Sequence, residues 1–445
     1  MVKLKIEDIK FEDSSIIDNC GRVFYYEDRV FRAINKKYVE HVKKFLENQN
    51  INIDKLFEIG LVKTKLTDIE LEGYPLVIEH QKVPFVTYRS EWVPMMLKDA
   101  LIMFCELSVE LAHSGYALKD SHPWNILFDK CKPVFVDFGS ITPIVELSNI
   151  PYTELRQYSI FPLWLASMGW NDVASLVMKE HSIGVGGYLS QTRFVKHFPI
   201  RYNRIVSRYL KQNKKNHQQA VITFFNELKQ YAENMRVNPK RGTWTDYPQE
   251  NCGNVNDLST YAYKAKPVYN LLETNQRGTL LDMASNRGWF SQMAAKLGYK
   301  VISFDYEESA VTEIYNKNKI ECNDILPLKM NFLYSTPNFG MNLSGKSSIE
   351  RLKCDTTLVL ALIHHLVFGQ NVNFEIIAKI IDQYTLKKSI VEFIPHDDIY
   401  VSKWITKDHD WYTIENFIKV MMKYFSNYEI FDSSPEPRKI ILFKK

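Results

Sequence analysis

The chain predicts an α/β fold for its C-terminal part, residues 266–445: a doubly wound sheet whose strands run mostly parallel. Three observations predict it. From Gly278 onward, strand-like apolar runs alternate with helical patterns, the order that covers both faces of a parallel sheet with helices. The first two of those strands each end in a carboxylate, Asp282 and Asp305. Upstream, residues 239–265 are rich in Gly, Asn, Asp and Pro and read as a linker or lid that follows an N-terminal domain at 1–238. In that domain strands come early and helices late, the distribution of an α+β fold.

Taken in order, Val23–Tyr26 and Arg29–Ile34 are β-branched and aromatic runs joined by Glu27-Asp28, which predicts a hairpin. Tyr38, Val42, Phe45 and Leu46 recur at helical spacing among charges, predicting an amphipathic helix over 38–46. Leu76–Glu79 is strand-like. Pro94 opens and Gly115 closes a long helical pattern: proline suits the first turn, where its missing N–H is not needed, and glycine suits the stop. Short strands at Ile126–Phe128 and Val134–Asp137 flank a loop, and 150–235 reads as mostly helical. Further on, strands fall at Thr279–Met283, Val301–Asp305, Thr357–Ile363 and Ser389–Phe393, with helices at Trp289–Leu297, Ser309–Lys317 and Phe374–Tyr384. Two more strands, Asn427–Asp432 and Lys439–Phe443, end the pattern.

Composition narrows the function. With 445 residues, 45% apolar and 24% charged, the chain can bury several cores without metal or disulfide staples. A net charge of +4 without any basic block predicts no nucleic-acid partner. The 6 cysteines form no C-x-x-C pair, which predicts a reducing compartment and no structural zinc. Neither a secretory leader nor a run of eighteen apolar residues is visible, so the expected location is cytoplasmic.

The chemistry concentrates at Leu280-Leu281-Asp282-Met283-Ala284-Ser285-Asn286-Arg287-Gly288. An apolar strand ends in an acid, turns through small residues and feeds a helix. A cofactor lying across the carboxyl ends of parallel strands needs small residues for close approach and free N–H groups at the helix start. The next strand ends at Asp305, where a carboxylate accepts hydrogen bonds from ribose hydroxyls. With these features the sequence resembles the class I S-adenosylmethionine (SAM)-dependent methyltransferases. The resemblance implies a Rossmann-like, seven-stranded sheet with SAM as cofactor. It places Asp282, Ala284, Asn286 and Gly288 at the methionine end, Asp305 on the ribose, and Asn331 and Phe332 beside the adenine. Ala284 and Asn286 stand where the family pattern has glycine, a loss expected to tighten the turn. Asn331 stands where many relatives have Asp.

His364 and His365 follow an apolar run, and Glu392 belongs to the next strand. Imidazole can take a proton from a hydroxyl near neutral pH, so these three are the candidate catalytic residues. At a strand end adjacent side chains point apart, so one histidine at most is expected to face the acceptor; ordering of the loop is the alternative role. Trp404, Trp411 and Tyr412 either stack on a sugar ring or pack a helix on the sheet. Trp244, Tyr247, Tyr261, Tyr263 and Lys266 either lid the cofactor or anchor the linker.

In the N-terminal part, Lys119-Asp120-Ser-His-Pro-Trp-Asn125 is followed by Asp137-Phe138-Gly139. This resembles the protein-kinase pattern of a catalytic Asp, a metal-binding Asn and a D-F-G motif. The resemblance implies a protein-kinase-like domain, either an active phosphotransferase or a nucleotide-poor pseudokinase, with Asn125 and Asp137 as ligands of Mg²⁺ should Mg-ATP bind. The pattern departs at three places: Leu118-Lys119 replaces the His-Arg of the kinase loop, Arg32 stands where the family has its ATP-binding Lys, and Gly21 alone is no glycine-rich phosphate loop. Glu40 or Glu47 is the expected partner of Arg32.

Over nearly its whole length the sequence resembles a bacterial group of SAM-dependent methyltransferases, the nodulation protein NoeA-like group. Gly21-Arg-Val-Phe, Glu91-Trp92, Trp244-Thr-Asp-Tyr, His364-His365 and Val391-Glu-Phe-Ile-Pro carry that likeness. The implied function is O-methylation of a sugar or glycoconjugate hydroxyl, the kinase-like domain positioning or modifying the acceptor. A bifunctional kinase–methyltransferase and a catalytically silent SAM-binding scaffold are the alternatives.

Overall fold

A computed structural model describes residues 2–179, 198–244, 252–262, 264–274 and 277–445. Tyr247 and Tyr263 lie outside the described residues. The chain divides into two compact units, residues 1–238 with 338–346, and residues 239–337 with 347–445. Residues 239–244 and 252–262 thus fold with the C-terminal unit. Among the described residues no helix is long and apolar enough to cross a membrane.

The N-terminal unit carries a five-stranded antiparallel sheet of β1 (Lys10–Phe11), β2 (Gly21–Tyr26), β3 (Arg29–Ile34), β4 (Thr64–Leu66) and β5 (Leu76–His80), in the order β1-β2-β3-β5-β4. The predicted hairpin is β2–β3, and its turn residues Glu27 and Asp28 both take positive φ. Gly21 is required for packing rather than for phosphate binding: a Cβ there would lie 2.1 Å from the carbonyl oxygen of Ala33 on β3. Helix α1 (Val39–Leu46) buries Val42 and Phe45, as its periodicity dictates. Helix α2 (Pro94–His113) begins on Pro94 and stops before Gly115 at φ +82°. It buries Leu97, Leu101, Phe104 and Leu111 and packs against α4 (His217–Glu233), which in turn packs on α3 (Ile200–Asn213). Between them lies a second hairpin, β6 (Ile126–Asp129) and β7 (Lys132–Phe135). Here β7 stops at Phe135, so Asp137 sits in a turn beyond the strand instead of ending it.

The C-terminal unit is built on one seven-stranded sheet. Its strands are β8 (Thr279–Met283), β9 (Lys300–Asp305), β10 (Ile325–Lys329), β11 (Cys354–Val359), β12 (Thr385–Phe393), β13 (Asn427–Asp432) and β14 (Lys439–Lys444). Their spatial order is β10-β9-β8-β11-β12-β14-β13; the first five are parallel and β14 is antiparallel to both neighbours. The order reverses at β8, and in open α/β sheets a ligand crevice opens at that point, beyond the carboxyl ends of the strands. Leu280, Val301, Leu358 and Ile390 share one face and pack with Val268 and Leu272 of α5 (Ala265–Glu273) and Met293 of α6 (Trp289–Lys296). Each such fully buried side chain contributes about 1.5–3 kcal/mol of transfer free energy. Helices α7 (Glu308–Glu321), α8 (Ile363–Gln370), α9 (Phe374–Tyr384) and α10 (Ile414–Met421) complete the unit.

One element departs from expectation at the heart of the site. The strand predicted to run through Ile363 ends at Val359, and His364 and His365 lie in the first turn of α8. The break is local: Ala361 takes φ +53°, a left-handed conformation that no strand can continue through.

Candidate active site

At the sheet's reversal point the two acid-ended strands lie side by side, with Asp282 of β8 paired to Ser303 of β9. Asp282 and Asp305 line one cavity of about 430 Å³. So do Ala284, Asn286, Asn331 and Phe332; Gly288 alone of the predicted cofactor-binding residues stands behind the wall.

Sequence explains how the turn is shaped. Ala284, Asn286 and Gly288 take φ of +63°, +48° and +73°. The missing glycines therefore do not tighten the turn. Alanine and asparagine accept the left-handed conformation glycine would have adopted, at some cost in strain. Backbone bonds hold it: Ser285 N donates to Phe304 O at 3.0 Å and Asn286 N to Asp305 Oδ2 at 2.8 Å. Gly288 remains glycine for a second reason, because a Cβ there would meet Ile314 of α7 at 2.9 Å.

Both carboxylates are pushed upward. Burial raises Asp282 to about 7, against the hydroxyl of Ser291, which donates to its Oδ2 at 2.6 Å; the charge of Asp305 raises it further. Burial likewise raises Asp305 to about 6, offset in part by the N–H groups of Glu307 and Asn286, at 2.9 and 2.8 Å. Two acids held this way are poised to ionise fully when a ligand donates hydrogen bonds or brings positive charge.

Beyond Asp282 the cavity wall is formed by Trp244, Cys252, Lys264, Phe290, Leu360 and His365. Of the three predicted catalytic residues, His365 lines the cavity and His364 and Glu392 do not. Both histidines nevertheless lie on one side, their rings 3.9 Å apart, because a helical turn sets adjacent side chains about 100° apart and not opposite. Burial draws His365 down to about 4, helped by the charge of Arg438, and His364 to about 2. Each is a neutral imidazole at pH 7. The ring of His365 meets Trp244 at 4.5 Å, and Trp404 lies parallel to His364 at 6.0 Å.

Glu392 is fully buried and pairs with Lys264 at 2.7 Å. Its role is therefore indirect: it holds the ammonium group that lines the cavity. Asp397 is exposed, whereas Asp398 is buried and paired with Arg438 at 2.9 Å. Trp411 and Tyr412 pack on Phe374, and the Tyr412 hydroxyl donates to Ile394 O at 2.8 Å, so both serve packing. Tyr261 packs against Trp289, and Lys266 is exposed.

Trp244 sits above the cavity because its N–H donates to Glu307 Oε1 at 2.7 Å and its carbonyl accepts from Asn286 Nδ2 at 3.1 Å. Neither Lys264 nor Tyr306, which also lines the cavity, carries a sequence signal: each follows from where the chain passes over the sheet edge.

In the N-terminal unit, Asn125 precedes β6 and Asp137 follows β7, and the hairpin brings them together: Asn125 Nδ2 donates to Asp137 Oδ2 at 3.2 Å. Asp120 lies on the same loop, its N–H donating to Ser140 Oγ at 3.0 Å. Arg32 pairs with Asp137 at 3.5 Å and, closer, with Asp18. The expected partners Glu40 and Glu47 are exposed, and the carboxylates that hold Arg32 are those of Asp18 and Asp137 instead. Asp18 was not legible as a partner because it lies outside every motif.

The order of the sheet, its reversal over a paired-acid cleft and its antiparallel final strand define the class I SAM-dependent methyltransferase architecture. No family model matches the chain. Over 431 residues, 89% of this chain and 87% of the other, it is 23% identical to Nodulation protein NoeA of Rhizobium meliloti (strain 1021), its homologue. Among solved structures it is similar to the bifunctional kinase-methyltransferase WbdD, with 12% identity, 45% of each chain covered and a TM-score of 0.33. It is also similar to magnesium protoporphyrin IX methyltransferase (ChlM) from Synechocystis PCC 6803 with bound SAM, with 15% identity, 40% of this chain and 77% of that one covered, and a TM-score of 0.29.

Proposed function

We propose that the protein is a SAM-dependent O-methyltransferase acting on a hydroxyl of a sugar or glycoconjugate. The observation that carries this is the single cavity holding Asp282, Asp305 and His365 together at the reversal point of the sheet. The residues present fit the cofactor: one wall offers two buried carboxylates and a left-handed small-residue turn, the other a neutral imidazole among aromatic rings. When bound, SAM supplies a methyl group on a sulfonium with a thioether as leaving group.

The chain's own part is alignment and proton handling. Asp305 would accept from the ribose hydroxyls, Asp282 would shape the methionine end, and Asn331 and Phe332 would flank the adenine. His365, neutral and in the wall, would orient the acceptor's hydroxyl and accept its proton as the new C–O bond forms, a weak base while burial holds it down at about 4. Trp244 and Trp404 border the histidines and offer planar faces of the kind that cover sugar rings. We read the N-terminal unit as protein-kinase-like, positioning the acceptor; the meeting of Asp120, Asn125 and Asp137 beside an antiparallel sheet supports it.

Calorimetry on the full chain tests the proposal. Wild type is expected to bind SAM and Asp305→Ala to lose at least about tenfold in affinity, one charge-assisted hydrogen bond or more. His365→Ala should bind SAM normally and lose methyl transfer to hydroxylated acceptors by about 10²–10⁴-fold. SAM binding unaltered in Asp305→Ala would refute the site.

A further inference from the structure

The polar cluster of the N-terminal unit does not fit a divalent cation. A metal held by Asn125 and Asp137 needs their oxygens turned to a shared point and an uncrowded shell; Mg²⁺ demands near-octahedral oxygen ligation. Here the two side chains are turned on each other, Asn125 Nδ2 donating to Asp137 Oδ2 at 3.2 Å. The other carboxylate oxygen faces the guanidinium of Arg32 at 3.5 Å. That guanidinium is buried, 4% exposed, and also grips Asp18.

Asp18 is not there by accident of a loose loop. Its Oδ1 accepts from Cys20 N at 2.8 Å, and the turn before it is tied to β2 through Val23 N and Ser15 Oγ at 3.0 Å. Gly139 makes the arrangement possible: a Cβ at that position would lie 2.7 Å from Asp18 Oδ2 and 2.8 Å from an Arg32 nitrogen. The glycine of the D-F-G triplet thus serves an internal ion pair. Arginine suits the role because its planar guanidinium carries several N–H donors, enough to hold two carboxylates at once.

We infer that Arg32 is a built-in cation that replaces the divalent metal of this pocket, so that the N-terminal unit binds neither Mg²⁺ nor a metal-nucleotide and transfers no phosphate. The inference rests on the kinase-like reading of that unit. It divides the labour of the chain: a single chemical centre in the C-terminal unit, and an N-terminal unit whose motif residues hold their own fold together.

Titration of the full chain with Mn²⁺ and with Mn-ATP, followed by calorimetry and by Mn²⁺ paramagnetic resonance, tests it. Wild type should show no site, and its melting temperature should be the same with Mn-ATP as with EDTA. Arg32→Met removes the charge while keeping an unbranched stem. It should gain a Mn²⁺ site, at least about tenfold tighter than the weakest binding the titration can detect in wild type, since two acids lose their buried partner. Arg32→Met combined with Asp137→Asn should lose it again. A Mn²⁺ or Mn-ATP site in wild type that Asp137→Asn abolishes overturns the inference but leaves the kinase-like reading standing. A folded Arg32→Met protein without any Mn²⁺ site overturns both. The wild-type titration does not depend on any variant folding.

Discussion

At the scale of single residues, the two cavity acids set the pH behaviour of the C-terminal unit. In the folded chain both are raised above an ordinary carboxylate near 3.8, Asp305 to about 6 and Asp282 to about 7. Between pH 4 and 7 the folded state therefore binds more protons than the unfolded one, and these two groups make the ligand-free protein less stable as pH rises through that window. Ligand binding has the opposite sign. Ribose hydroxyls and a sulfonium charge favour the ionised acids, so SAM affinity should level off above about pH 7 and fall below it, by up to about tenfold per unit for each acid that ionises on binding. Calorimetry at pH 5, 6 and 7.5 checks this, and Asp305→Asn should make the profile shallower, leaving the share of Asp282; a wild-type affinity independent of pH would count against Asp305 as the ribose acceptor. Asp282 and Asp305 were legible in the sequence because a strand that ends in an acid is a local pattern. Lys264 and Asp18 were not: the partner of Lys264, Glu392, is remote in sequence, and Asp18 itself lies outside every motif.

At the scale of elements, the turn between β11 and α8 decides the geometry of the histidines. An apolar run from Leu358 to Ile363 has no proline or glycine to mark a break, so hydrophobicity alone extends the strand. The chain breaks instead at Ala361, whose φ of +53° costs an L-residue roughly 1 kcal/mol relative to glycine. Ala361→Gly should therefore leave the protein equally stable or up to about 1 kcal/mol more stable, with SAM binding retained. Ala361→Val should destabilise by about 1–3 kcal/mol, because a β-branched residue is a poor fit in this region. Denaturant melts of the two variants read the difference; equal losses from both would mean that the turn is not left-handed. The same logic explains Ala284 and Asn286, where the family pattern's glycines are absent but their backbone conformation is kept by hydrogen bonds to β9 and its flanks.

At the scale of the whole molecule, each of the two units has a core of its own, so a ligand of one need not stabilise the other. At a SAM concentration of about one hundred times its dissociation constant, the C-terminal unit should gain about 2.7 kcal/mol. Calorimetric melting should then show a SAM-dependent transition and a transition that SAM does not move, and neither should respond to Mg-ATP. A single transition shifted as a whole would show instead that the units unfold together. The sequence by itself determined the alternating α/β character of the C-terminal unit, most of its strands and the two acids of the cleft, because these are encoded in local periodicity and strand-end chemistry; the strand Ile325–Lys329 escaped it. Tertiary structure alone decided which histidine faces the cavity, that Glu392 holds Lys264, and that Arg32 and Asp18 sit on Asp137. These depend on where separate segments meet when apolar faces are buried, and no run of neighbouring residues records a contact made across a hundred positions of chain.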